Sequence, residues 1–108
     1  MITMDDFKKM ELRSGKVLEA ERVQGTSKLI RLVVDLGAET RVLVAGIAKA
    51  YDPGELKGRN IVVLANLEPA TIRGIESRGM LLASLGEGPG DISLLTLDRD
   101  LPAGSRIG

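Results

Sequence analysis

The sequence predicts a mainly β chain that closes into a small five-stranded antiparallel barrel. Three observations predict it. Residues 29–36 alternate, with Ile30, Leu32, Val34 and Leu36 on one face and Arg31 and Asp35 on the other, the period-two mark of a half-buried strand. Other short apolar runs of strand type recur along the chain, separated by turns that hold Gly or Pro. Glycine itself is frequent, 13 of 108 residues, against a usual ~7%, and strands that bend to close a small barrel need it at their corners.

Taken in order, residues 4–10 read as a short helix, with Asp5 or Asp6 as its N-cap and Phe7, Met10 and Leu12 along an apolar edge. A helix that short must dock on something to persist. Residues 12–23 form a strand that bends or bulges around Gly15. Gly25-Thr26-Ser27 turns the chain into strand 29–36, and Gly37-Ala38-Glu39 turns it again into strand 41–45, so the pair forms a hairpin. Residues 47–58 lose the period of two; Pro53 suits the first turn of a short helix and Gly58 its end. Strand type returns at 61–64, and residues 66–76, with Pro69 and Gly74, read as a loop or irregular arm. Residues 80–84 and 92–97 are the last strands, separated by the turn Gly86-Glu87-Gly88-Pro89-Gly90, and a tail with Pro102 and Gly104 follows. Five strands in a Greek-key barrel with a helix between the third and fourth is the arrangement of the oligonucleotide/oligosaccharide-binding (OB) fold. One domain spans 1–108: helix 1–10, barrel 11–84 and a C-terminal strand extension 85–108.

The composition narrows the chemistry. The chain has no Cys and no His. Thiolate nucleophiles, disulfides, Cys- or His-ligated metals and imidazole bases are therefore excluded. The acidic residues Glu19, Glu21, Glu68, Glu76, Asp91, Asp98 and Asp100 show no metal-loop spacing and read as solvated surface charge. No catalytic constellation and no cofactor site emerges, so the chain reads as a binding protein and not an enzyme. The charged N-terminus does not resemble a signal peptide, and no apolar run approaches the roughly 20 residues of a membrane span, so the default expectation is a cytoplasmic protein. Net charge is zero, with 15 basic against 15 acidic residues. Only one Tyr and one Phe are present, too few for a surface that stacks successive bases.

Several stretches resemble a known family. They are Asp6-Phe7-x-Lys9-x-Glu11-Leu12-Arg13-x-Gly15-Lys16-Val17, Lys28-Leu29, Val34-Asp35-Leu36-Gly37, Gly46-Ile47, Tyr51-x-Pro53-x-x-Leu56-x-Gly58, Asn66-Leu67-x-Pro69 and Arg73-Gly74-x-x-Ser77-x-Gly79-Met80-Leu81-Leu82-Ala83. Their order and spacing are similar to the tRNA-binding OB-fold domain found at the C-terminus of many methionyl-tRNA synthetases and as a free-standing structure-specific tRNA-binding protein. The resemblance implies a homodimer that holds tRNA by its shape, does no chemistry itself and serves an aminoacyl-tRNA synthetase. It also implies that residues 4–10 and the segment after Gly90 meet the second copy.

On this reading the RNA-binding residues are Lys28, Arg41, Asn66, Arg73, Ser77, Arg78 and Met80. Hydroxyl, amide and cationic groups suit phosphate and 2′-OH contact, and a flexible thioether can lie against a sugar or base. Two departures from the family pattern point elsewhere. The family's His-Pro-Asn-Ala-Asp stretch in the first hairpin is replaced by Val23-Gln24-Gly25-Thr26-Ser27, and the Lys of Asn-Leu-Lys-Pro has become Glu68. A branch of the same fold that serves as a dimeric bacterial secretion chaperone also lacks the first stretch, so a protein-interaction module is the alternative.

Overall fold

A computed structural model describes residues 1–108. The chain begins with helix α1 (Met4–Lys8), followed by strands β1 (Leu12–Arg22), β2 (Ile30–Asp35) and β3 (Thr40–Ala45). The one-turn helix α2 (Pro53–Leu56) precedes β4 (Asn60–Leu64), and five short strands follow: β5 (Ala70–Ile72), β6 (Ile75–Ser77), β7 (Met80–Leu81), β8 (Ala83–Leu85) and β9 (Ile92–Leu94). The main sheet is antiparallel in the order β3-β2-β1-β4-β7, and β5-β6 and β8-β9 are separate two-stranded pairs.

The alternation read from the sequence at β2 is the core itself. Ile30, Leu32 and Val34 are fully buried, and Leu36 nearly so. They meet Val17 of β1, Leu43 of β3, Leu56 of α2 and Ile61 and Val63 of β4 inside the barrel. Burying that many aliphatic side chains, at about 1.5–3 kcal/mol each, is the main force for closure.

β1 is long because it serves two neighbours. Its first half pairs with β4, from Leu12↔Leu64 to Lys16↔Asn60, and its second half with β2, from Lys16↔Asp35 to Arg22↔Ile30. Such a switch demands a sharp bend. The register slips by one between Val17 and Glu19, which makes Leu18 the bulge residue. Gly15 lets the sheet fold over itself: a Cβ there would sit 2.5 Å from Val34 Cγ1. The sequence places the bend at Gly15; the structure divides it between Gly15 and the bulge three residues on.

The barrel closes through short elements. β7 has only two residues, and the seam to β3 is completed by the Arg78 N–H donating to Val42 O at 2.9 Å. The expected strand over 80–84 is broken at Leu82: β7 pairs with β4 while β8 leaves the sheet to pair with β9. Residues 66–76, expected to be irregular, form the regular hairpin β5-β6. Its turn residues Arg73 (φ 52°) and Gly74 (φ 77°) both adopt positive φ, as two-residue hairpin turns of type I′ require. An Arg in the place usually held by Asn or Asp hid that turn.

The C-terminal tail folds back onto the free edge of β1. Ser14 N–H donates to Ser105 O at 2.8 Å and Ile107 N–H to Leu12 O at 2.9 Å, and the Ser14 hydroxyl lies 3.3 Å from Pro102 O. This docking relies on Gly104, at φ 86°, whose missing Cβ would fall 2.2 Å from Leu36 O.

Gly104→Ala therefore combines a left-handed backbone with a clash against main chain, and urea denaturation should show a loss of about 2 kcal/mol or more. Gly54→Ala in α2, where a Cβ meets nothing within 4 Å, should be neutral or stabilising by up to about 1 kcal/mol.

Candidate nucleic-acid interface

The seven residues singled out from the sequence divide into two groups. Lys28, Arg73, Arg78 and Met80 are exposed. Arg41 and Ser77 are engaged inside the fold, and Asn66, though exposed, is held by two hydrogen bonds to backbone.

Ser77 ends β6 and is 4% exposed. Its Oγ accepts the Val44 N–H at 3.0 Å and donates to Gly79 O at 3.3 Å. The hydroxyl thus supplies the rung that β3 lacks where the barrel seam is irregular, and it has no path to a ligand in this arrangement. Asn66 acts as a pin. Its side-chain carbonyl accepts the Glu11 N–H at 2.8 Å and its amide donates to Lys9 O at 2.7 Å, tying the junction of α1 and β1 to the end of β4. Arg41 is 18% exposed; its guanidinium pairs with Glu39 and donates to Ala65 O. That guanidinium, hydrogen-bonded and charged, holds the Glu39 carboxyl below the usual carboxylate range.

Of the exposed group, Lys28 and Met80 border adjoining clefts. Lys28 sits on the β1–β2 loop, whose turn is fixed by its own N–H donating to Thr26 Oγ1 at 3.1 Å. It shares a cleft of about 290 Å³ with Lys49, Gly46, Leu85, Asp91 and Ile92. Met80 is 46% exposed and lines an adjoining groove of about 410 Å³ with Val44, Ala45, Ile47, Leu82 and Leu85. Gly46, Leu85 and Ile92 border both, so the two run together as one apolar trough with lysines at one side. Arg78 lies two residues before Met80 on the same seam, and a loose pair to Glu76 at 3.7 Å leaves it more than half exposed. Arg73 stands at the tip of the β5-β6 hairpin.

Lys49 is a residue that reading the sequence missed. It falls in the stretch 47–52, which has no period, and only the folded β3–α2 connection brings it beside Lys28. The trough was missed too, since Val44, Met80, Leu85 and Ile92 come from four separate segments.

Tyr51 is not offered to a base. Tyr51 packs against the core, its hydroxyl accepts the Leu94 N–H at 3.1 Å, and Arg59 lies 5.4 Å from its ring centroid. Phe7 lies in the wall between α1 and β1.

Charge placement explains how a neutral chain still offers cations. Nine of the basic residues lie within salt-bridge distance of a carboxylate, at Lys9, Arg13, Lys16, Arg22, Arg31, Arg41, Arg59, Arg78 and Arg99. Lys28, Lys49 and Arg73 have no such partner, so their charge stays available to an anion.

A small bent antiparallel barrel of this topology, with exposed cations and an apolar trough, is of the OB-fold-like kind. The chain belongs to the tRNA-binding domain family: residues 12–106 match the family described as "Putative tRNA binding domain". It is 57% identical over 107 residues to methionine–tRNA ligase of Methanothrix thermoacetophila, and 54% identical over 107 residues to that of Thermotoga maritima. Those alignments cover 99% and 98% of the chain but only 16% of each ligase. Among solved structures it is similar to a MetRS-related protein from Pyrococcus horikoshii (TM-score 0.93, 37% identity, 100% of this chain and 98% of that one). It is also similar to the chaperone CsaA of Bacillus anthracis str. Ames (TM-score 0.91, 34% identity, 100% and 99%).

Two measurements test these local assignments. Ser77→Ala leaves the Val44 N–H without its acceptor, so it should lower stability by about 1–3 kcal/mol in urea denaturation. Unchanged stability would contradict the structural role of the hydroxyl. Glu39 has a lowered folded pKa, so its contribution is complete above the unfolded value near 4.5 and is lost as pH falls through the lower folded value. Replacing it with Gln should lower stability slightly at pH 7 and not at all in strong acid, so that the acid limb of the stability–pH curve is flatter than the parent's.

Proposed function

We propose that this chain is a non-catalytic tRNA-binding module that works as a homodimer in the cytoplasm and brings tRNA to an aminoacyl-tRNA synthetase. Membership of the tRNA-binding family over residues 12–106 carries the reading, and the exposed cations beside the Met80 trough give it a physical basis. Contact runs through phosphates and shape, because Tyr51 is committed to packing and Phe7 alone is too little to stack successive bases. Lys28, Lys49, Arg73 and Arg78 meet the RNA backbone, and Met80 lies against a sugar or base. Arg41, Asn66 and Ser77 serve the interface by holding its supports.

α1 supports the dimer. It has a complete capping box at Thr3 and Asp6 yet buries none of its residues. Met1, Ile2 and Met4 are all more than 60% exposed. A five-residue helix is marginal in water on its own, so a second copy covering those side chains accounts for its sequence. Analytical ultracentrifugation should report a dimer, and Met4→Asp should shift it toward monomer.

A tRNA titration by fluorescence anisotropy tests the function. Folded tRNA should bind in about 50 mM salt and weaken steeply as salt rises. Arg73→Asn should lower affinity about threefold to tenfold. The same change should raise stability by up to about 1 kcal/mol, because Asn tolerates positive φ better than Arg. Absence of binding at low salt would overturn the reading.

The trough favours a second reading, a site for extended apolar peptide, and the chaperone among the similar structures points the same way. An unfolded apolar peptide that binds with tRNA unable to displace it would establish that reading instead.

A further inference from the structure

We propose that Glu39 is a built-in competitor of RNA phosphate on the seam between β3 and β7: its carboxylate holds the guanidinium of Arg41 in the free protein, and a phosphate takes its place in the complex. The inference rests on the RNA-binding reading above and adds to it the residue that limits affinity.

The position follows from the fold. Glu39 ends the β2–β3 turn, where the Leu36 N–H donates to Glu39 O at 2.8 Å and the Gly37 N–H to Asp35 Oδ1 at 2.7 Å. The turn is thus fixed, and the Glu39 side chain, 51% exposed, accepts Arg41 Nε at 2.5 Å. Arg41 is anchored independently. Its Nη1 donates to Ala65 O on the far side of the cleft, and its side chain is only 18% exposed. The two bonds use two of the five N–H groups of a guanidinium. The bond to Ala65 holds the cation in place whether or not Glu39 is there.

A second guanidinium stands on the same seam. The Arg78 N–H donates to Val42 O at 2.9 Å, which sets residue 78 beside the residue that follows Arg41. The Arg78 side chain is 55% exposed, and Glu76, its one carboxylate within salt-bridge distance, lies 3.7 Å away. Glu11 is the remaining carboxylate nearby, and it is engaged by Arg13 at 2.6 Å. The Glu39 carboxyl is held below the usual range first by the hydrogen bond and charge of Arg41, and further by the charges of Arg78 and Arg13. Glu39 therefore sits where the fields of three guanidiniums overlap, a position that suits any oxyanion.

A guanidinium meets carboxylate and phosphate oxygens in the same forked geometry. The exchange between them is asymmetric. A half-exposed ion pair contributes little, so opening it costs little. A phosphate that replaces Glu39 releases a counterion from the RNA, a gain that a carboxylate of the protein does not bring. The displaced Glu39 still stands beside the phosphate and repels it. Such a carboxylate keeps the seam of a neutral chain from holding anions indiscriminately.

The test compares tRNA binding at 0.15 M salt, by fluorescence anisotropy, in the full chain and in Glu39→Gln. Glu19→Gln is the control of equal charge change, since Glu19 lies apart in the cleft with Pro53 and Lys57 and has no cation within salt-bridge distance. Glu39→Gln should bind about threefold to tenfold tighter than the parent, and its salt slope should steepen by about one, as when one more cation meets a phosphate. Glu19→Gln should change affinity by less than about twofold. Glu39→Gln also loses a little stability at pH 7, so tighter binding separates a competitor from a residue that only holds the turn. The gain should vanish in Glu39→Gln/Arg41→Gln, read where urea denaturation shows that variant folded; the single variants decide the matter without it. Affinity in Glu39→Gln at or below the parent's, an equal gain in Glu19→Gln, or a gain that survives in the folded double variant overturns the proposal and leaves the RNA-binding reading standing. Binding by neither the parent nor Glu39→Gln in about 50 mM salt removes both.

Discussion

The structure depends on one strand doing the work of two. β1 runs from Leu12 to Arg22 and turns from β4 to β2 at Lys16, the residue paired with both Asn60 and Asp35. Close approach at Gly15 and the bulge at Leu18 make that turn possible. Once β1 bends, β2 and β4 form opposite walls, and the aliphatic side chains between them become a closed core. The bend also frees the outer edge of β1 at Arg13 and Ser14, which the C-terminal segment then occupies. The trough follows from this, because it lies at one seam of the barrel.

The second constraint is electrostatic economy. A chain with no net charge cannot attract a polyanion through its overall field, so local placement has to do it. Most cations here are held by nearby carboxylates in exposed pairs, each worth less than about 1 kcal/mol. Such pairs do little for stability, but they mask charge over most of the surface and leave Lys8, Lys28, Lys49, Lys57, Arg73 and Arg106 without a carboxylate partner. The family's Lys in the segment before β5 is replaced by Glu68, and the first-hairpin motif is gone.

Sequence showed local pattern and hid long-range assignment. The β2 alternation, the β2-β3 hairpin, Pro53 at the start of α2 and the Gly-marked turns were all legible, because period and turn chemistry are properties of adjacent residues. The β5-β6 hairpin was not, because Arg73 replaces the residue that usually announces its turn. Ser77 and Asn66 matched a family pattern, but their partners Val44, Glu11 and Lys9 lie 33 to 57 residues away. A polar residue kept at a motif position can serve the scaffold or the ligand, and only the fold distinguishes the two. Arg41 shows the same ambiguity, since its bond to Ala65 O spans the barrel.

The proposed RNA contact lies where the end of β3 meets β7. The four methionines at 1, 4, 10 and 80 mark distinct regions of the surface, so ¹³C-methyl methionine spectra with folded tRNA test that claim most directly. The Met80 methyl should shift or broaden at the first additions of tRNA while the methyls of Met1 and Met4 do not move. A complex in which tRNA is bound and the Met80 methyl does not move would contradict it.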